Sequence, residues 1–428
     1  MFRSFPAMAF RTRCPVLDPA AFCFRPSTDL RNPETVISEP QAKVTLFEAA
    51  ELLRNDEVVA IPTETVYGLA ANAFSPAAIT KIYATKNRPQ DNPLIVHVSS
   101  LAMLEEILPD HRIPPIYLPV INRFWPGPLT IILPKSDRIP AIACNQPTVA
   151  VRFPSHPIAR ALITQCGFPL AAPSANSSGK PSPTIASHVI SDLDTKIPLV
   201  LDGGQCYFGI ESTVLDALRS PPAILRPGGV TFEALKEVLG MEELQVYKKH
   251  FVDVQLEMTP TTPGMKYRHY SPEAQVVLFE KPIPLGNGLV PTIDNTNCKG
   301  FELSTMVAMT ILETDIESLR SSIAHEVEQL LSAGNRKFGI LRTSSSSLQD
   351  ITKNRGSTFK SSTEFTVVEK FLGSALHPEQ VAHELFKCLR EMDAQGMDVI
   401  LVEGISEDRE GLAVMNRLRK AASRIVTM

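Results

Sequence analysis

The chain has 428 residues, enough for two or three domains with real cores. Its formal net charge of -4 argues against a protein whose main task is to coat nucleic acid, which takes a basic surface, and leaves room for a local basic pocket. The seven scattered cysteines, without a CxxC pair, match neither a disulfide framework nor a zinc site and indicate a reducing compartment, and no apolar run reaches the roughly 18–20 residues of a membrane span.

Residues 1–42 read as an N-terminal extension. They carry Arg3, Arg11, Arg13 and Arg25, and within the first thirty positions Asp18 and Asp29 are the only acids. That composition suits an organellar transit peptide or a tail outside the fold, with Met8 as a second start. The expected compartment is the cytoplasm, or a mitochondrion or plastid if the segment is a targeting signal.

From Lys43 the pattern becomes regular. Leu46, Ala49, Ala50, Leu52 and Leu53 fall on one side of a helix, followed by an apolar strand over 58–61. A second helix is predicted over 76–86, with proline in its first turn and Ile79, Ile82 and Tyr83 facing inward. Strands follow over 94–98, 148–153, 170–172, 199–201 and 212–215, with a helix over 157–165. This alternation predicts an α/β domain over residues 43–250. The stretch TPTTPGMKYRHYSP ending at Pro272 is poor in helix or strand signals and predicts a linker over 251–272. Beyond it, strands over 275–279, 337–342 and 398–403 and helices over 379–394 and 412–425 predict a smaller α/β domain of doubly wound type over 273–428. There Ser344–Ser347 form a loop after a strand, where such folds bind ligands.

The polar information concentrates in loops of the first domain. PTETVYGL places Thr63, Glu64, Thr65 and Tyr67 in a predicted strand-to-helix turn that can present hydroxyls and N–H groups to an anion, or serve as an ordinary capped turn. In KNRPQDNPLIVH, Lys86 and Arg88 sit two apart at a helix end. An ammonium and a guanidinium fork so placed suit a polyphosphate, and equally complement the helix C-terminus. His97 in an apolar strand reads by itself as a core histidine. The loop APSANSSGKPSPT is nest-like but lacks the Walker A pattern, since Ser174 replaces its first glycine and Pro181 follows Lys180. GIESTVLD and ILRPGG complete the set.

Taken in order with TVAVRFP, these loops resemble the YrdC-like domain of threonylcarbamoyl-AMP synthases, and the linker resembles the PGMKYRHY element of that family's two-domain form. The resemblance covers roughly residues 43–428; Asn87 and Thr262 are mild departures. It implies an α/β fold with a twisted mixed sheet around a basic cavity, joined to a Rossmann-like domain. It also implies a nucleotidyltransferase that joins L-threonine, bicarbonate or CO2, and ATP into threonylcarbamoyl-AMP and pyrophosphate, for use by a tRNA threonylcarbamoyl transferase complex. By motif, Lys86 and Arg88 would be catalytic. Arg88, Asn92, Thr148, Ser174, Asn176, Ser182 and Arg226 would hold ATP, covered by Tyr267 or Tyr270 acting as a lid. Thr65, His97, Arg152, Ala172 through its backbone, and Ser212 would hold threonine. Mg2+ is expected to arrive with ATP, without a dedicated metal site. The rival reading is an RNA-binding protein, supported by the basic-aromatic Lys266–Tyr270 cluster and opposed by the acidic net charge. Weak tRNA contact and no membrane association are expected.

Overall fold

The computed structural model describes residues 11–25, 30–240, 242–253, 256, 258, 260–263, 269–280, 318–344 and 364–428. The first domain is built on a ten-stranded mixed sheet. Across it, the strands run Gln245–Val246, Ala223–Arg226, Thr213–Asp216, Leu129–Pro134, Thr148–Arg152, Ile95–His97, Leu170–Ala171, Gly68–Asn72, Val59–Ile61 and Leu199–Val200. Five of these strands are buried along their whole length and Leu129–Pro134 in all but its last residue, so they read as continuous apolar runs rather than alternating ones. Helices Pro40–Arg54 and Pro157–Cys166 cover one face of the sheet, sharing a core that includes Leu46, Leu53, Ile158 and Leu162. The larger core on the other side gathers Ile79, Ile82, Tyr117, Trp125 and Leu215.

Residues 11–25 and 30–42 belong to this domain, although the sequence reading set them apart. Arg13 and Val16 bridge to Leu199 and Asp202, and Phe22–Arg25 pairs antiparallel with Glu34–Ile37. Leu17, Ala21 and Phe22 are buried in the same core as the 40–54 helix. Short strands with few apolar residues give little periodic signal, and only the tertiary partner explains them. Residues 1–10 lie outside the described residues.

The second domain carries a five-stranded, all-parallel sheet in the order Thr366–Phe371, Lys337–Arg342, Val399–Glu403, Gln275–Glu280 and Arg424–Thr427. Helices Pro378–Ala394 and Gly411–Ala421 pack on one face through Val381, Leu385, Phe386, Val414 and Leu418. The expected single helix over 412–425 is instead a helix followed by a strand. The chain breaks at Ala422, and Arg-Ile-Val-Thr, rich in β-branched residues, continues as an edge strand. Among the described residues no helix is long and apolar enough to cross a membrane. Of the predicted serine loop, Ser344 is described and Ser345–Ser347 lie outside.

The domains meet through Val66 and Ile210, which join the apolar core of the second domain, and through polar side chains. Arg390 donates to Asp192 Oδ2 at 2.8 Å and to Pro181 O, and His383 and Lys387 reach Gln205. Gly209 lies so close to the backbone of His383 that a side chain there has no room, which ties the 203–209 loop to the second domain.

Candidate active site

Loops of the first domain and of the linker close around a cavity. Its walls hold Lys86, Arg88, Arg152 and Arg226 together with Thr65, His97, Ala172, Ser174, Asn176, Ser182, Ser212 and Tyr270. These residues come from segments far apart in the chain, and each is delivered by a local device that the sequence encodes.

Lys86 is the last residue of helix Pro76–Lys86, and Asn87 follows in the left-handed region at φ 51°. An asparagine tolerates that conformation, and the turn it makes carries Arg88 back so that its N–H donates to Tyr83 O at 3.0 Å. Both cations therefore reach one cavity from two positions apart. The buried Lys86 ammonium donates to Ser174 O and Asn176 O, and burial, with Arg88 nearby, holds its pKa well below the usual lysine value. Arg88 donates from Nε to Asn92 O at 3.2 Å and from Nη2 to Pro93 O at 2.9 Å, and burial lowers it to about 10. Arg226 ends a strand and donates to Ser212 O at 2.9 Å, Ser212 Oγ at 3.2 Å and Pro263 O at 3.3 Å. Main-chain carbonyls carry no net charge, so these cations keep their attraction for an anion.

The turn at Thr63–Val66 links two antiparallel strands, Val59–Ile61 and Gly68–Asn72, and not the expected strand and helix. Thr63 Oγ1 accepts from the N–H groups of Thr65 and Val66 at 3.2 Å, a hydroxyl-closed turn that substitutes for helix capping. Thr65 Oγ1 then accepts from Arg152 Nη1 at 2.8 Å, while Glu64 Oε1 accepts from Arg152 Nη2 at 2.6 Å. His97 lines the same end. Desolvation and the Arg152 charge lower its pKa to about 3, so the ring is neutral. With Nδ1 against Ile95 O at 3.2 Å, the tautomer that donates there leaves Nε2 as an acceptor. Ala172 gives its N–H to Ile95 O at 3.0 Å, so any main-chain contact it makes with a ligand falls to its carbonyl. Ser212 shares a hydrogen bond of 2.7 Å with Thr130.

The serine-rich loop is ordered by its own asparagine. Asn176 Nδ2 donates to Ser177 O at 2.8 Å and to Lys180 O at 3.0 Å, and Ser174 bridges to Gly68. From the linker, Tyr270 is buried in the wall, stacked on Phe386 of the second domain with ring centroids 5.1 Å apart. Tyr267 lies outside the described residues, as do Lys266 and Arg268. Two expected residues stand apart from the cavity walls. Asn92 is buried beneath Arg88, which its carbonyl holds, and Thr148 begins the strand whose far end carries Arg152, about 13 Å along at the usual rise.

Glu211 is a wall residue that sequence reasoning missed. Its carboxylate accepts from Ser182 Oγ at 2.6 Å and from Arg417 Nε at 3.0 Å, and although burial opposes ionisation, Arg417 and Arg226 hold its pKa at about 2. The letter Glu stood inside GIESTVLD, but its partner lies 206 residues away. His269, Lys180 and Pro263 also line the cavity unforeseen.

A protein-family model described as the C-terminal domain of threonylcarbamoyl-AMP synthase matches residues 230–423, and one described as telomere recombination matches 51–228. A threonylcarbamoyl-AMP synthase of Schizosaccharomyces pombe is 41% identical over 93% of this chain and 94% of its own length. The chain belongs to the threonylcarbamoyl-AMP synthase family. A second threonylcarbamoyl-AMP synthase, from Pyrococcus abyssi, is 40% identical over 87% of the chain and 93% of its own length. A solved structure described as P. abyssi Sua5 complexed with L-threonine superposes with a TM-score of 0.69 at 38% identity, covering 90% of this chain and 96% of that one. The synthase family's two-domain form thus accounts for the mixed sheet and for the domain that follows the linker.

Proposed function

We propose that the chain joins L-threonine, bicarbonate or CO2, and ATP into threonylcarbamoyl-AMP, releasing pyrophosphate. The observation that carries this reading is the convergence of Lys86, Arg88, Arg152 and Arg226 on one cavity, with the first, second and fourth held by carbonyl and hydroxyl or amide oxygens.

Both reactants are anions. The carbamate oxygen of N-carboxythreonine attacks the α-phosphorus of ATP, the bond from that phosphorus to the β-bridging oxygen breaks, and pyrophosphate leaves with the electron pair. The attacking group is already ionised, so the barrier lies in repulsion and orientation. Fixed cations and positioning address both, the latter contributing on the order of 7–11 kcal/mol at best. Lys86 and Arg88 would grip the phosphates, and Ser174, Asn176, Ser182 and Arg226 would hold the nucleotide, with Asn92 supporting Arg88 and Thr148 at the outer edge. Arg152 would pair with the threonine carboxylate. Thr65, Ser212, the neutral His97 and the Ala172 carbonyl supply partners for its hydroxyl and nitrogen. Magnesium entering with ATP would be carried by phosphate oxygens and water and would neutralise developing charge on the leaving group. The donor set agrees with that, because the wall carboxylate Glu211 and the adjoining Glu64 are both engaged by arginines.

The product would pass to a tRNA threonylcarbamoyl transferase complex that modifies the adenosine beside the anticodon. Cytoplasm is the proposed compartment. An organellar signal would have to end before Leu17, because a cut further on removes Leu17 or Phe22 from the core; a fluorescent protein carrying residues 1–16 that stays cytosolic would count against the signal. An RNA-binding reading is disfavoured by Tyr270, which faces the cavity rather than solvent. The test of the main reading is pyrophosphate release from ATP, threonine and bicarbonate. Lys86→Ala and Arg88→Ala should each lower it at least a hundredfold; wild-type release in both would refute the site.

A further inference from the structure

Arg417 stands outside the chemistry described above and belongs to the other domain. Its side chain leaves helix Gly411–Ala421 and is wholly buried, at 0% exposure, in the wall of the catalytic domain. There Nε donates to Glu211 Oε2 at 3.0 Å, Nη2 lies 3.0 Å from the same oxygen, and Nη1 donates to Pro227 O. Its guanidinium carbon lies 5.7 Å from the centre of the Tyr270 ring. A cation costs several kcal/mol to bury, so a purely cohesive contact between domains would be better made by an apolar side chain.

The surroundings of Glu211 say what the cation does. Glu211 is the neighbour of Ser212, whose carbonyl and hydroxyl hold Arg226. Behind it the 227–229 turn presses on its main chain so closely that Gly228 has no room for a side chain. Arg226 also acts electrostatically on Glu211, after Arg417 in strength. A carboxylate in this position competes with ATP phosphates for Arg226 unless another cation holds it.

We infer that Arg417 is a positioning residue for the nucleotide: from the second domain it holds Glu211 away from Arg226, so that Arg226 stays available to ATP, while Glu211 keeps Ser182 in place. The C-terminal domain then completes the ATP site. This deepens the proposed function and rests on its assignment of Arg226 to the nucleotide.

The test uses the full chain and isothermal titration with ATP–Mg2+ and, separately, with L-threonine. Arg417→Met, which keeps the bulk without the charge, should weaken ATP binding by on the order of tenfold, the worth of one charge-assisted contact. Threonine affinity should stay within twofold. Adding Glu211→Gln to Arg417→Met should restore ATP affinity to within about threefold of wild type, because the competitor is gone, and Arg417→Lys should lie between. A role limited to docking the domains predicts instead equal losses for ATP and threonine, tracking a fall in thermal midpoint. Equal losses, or ATP affinity unchanged in Arg417→Met, overturn the inference while leaving the proposed function standing. Absence of ATP binding in the wild-type chain is the separate result that removes the proposed function itself.

Discussion

Glu64→Gln isolates what a buried carboxylate does for the threonine end of the cavity. The Glu64–Arg152 pair is nearly sealed, with side-chain exposures of 7% and 5% and an N–O distance of 2.6 Å. Taking about 4 Å between charge centres and an effective dielectric of about 20, the attraction is about 4 kcal/mol. The amide keeps the shape and leaves Arg152 buried with Thr65 Oγ1 and Gly127 O as its remaining partners, a loss of roughly 3–5 kcal/mol. Trp125 makes the measurement specific. It is the chain's one tryptophan, buried edge-on to Phe153 at 6.3 Å, and so reports on the catalytic domain alone. Followed by its fluorescence, the urea midpoint should fall by about 1 M or more at an ordinary slope of 2–3 kcal/mol per molar. L-threonine should then raise the variant's midpoint more than the wild type's, because its carboxylate restores the lost charge. A midpoint shift under about 0.3 M, with equal threonine effects in both proteins, would refute the argument that Arg152 requires a counter-charge.

Acid should weaken the fold before its carboxylates titrate. Burial lowers His97 to about 3 and His156, His188 and His269 to about 4. Each folded value lies below the unfolded one of about 6.5, so the stability from keeping these rings neutral is present above pH 6.5 and lost as pH falls towards 4. The loss is about 1 kcal/mol per ring between pH 6.5 and 5.5, and a urea midpoint that rises on that descent would count against it. Tyr270→Ala should open the wall that the linker provides. The expected result is a larger fraction of threonylcarbamoyl-AMP appearing as AMP, because water reaches the mixed anhydride; an unchanged AMP fraction in a chromatographic assay would remove the lid role.

The sequence by itself determined the elements and the chemistry of the loops. Helix 76–86 with its proline start, the cation pair at that helix's αL end and the strand at 337–342 follow from local periodicity and local backbone preference, and those act over a few residues. So does the self-closing loop around Asn176. The motifs also carried the family resemblance, because their order along the chain is a one-dimensional property. Tertiary structure decided the rest. That Thr63 closes a turn between two strands, that residues 11–25 complete the domain, and that the last residues form an edge strand each depend on a partner distant in the chain. The same holds for Glu211. A carboxylate next to a cationic site is unfavourable or useful according to which cation holds it, and Arg417, 206 residues away, is placed there only when the second domain packs. Electrostatic pairing depends on distance in space, and a sequence records only distance along the chain.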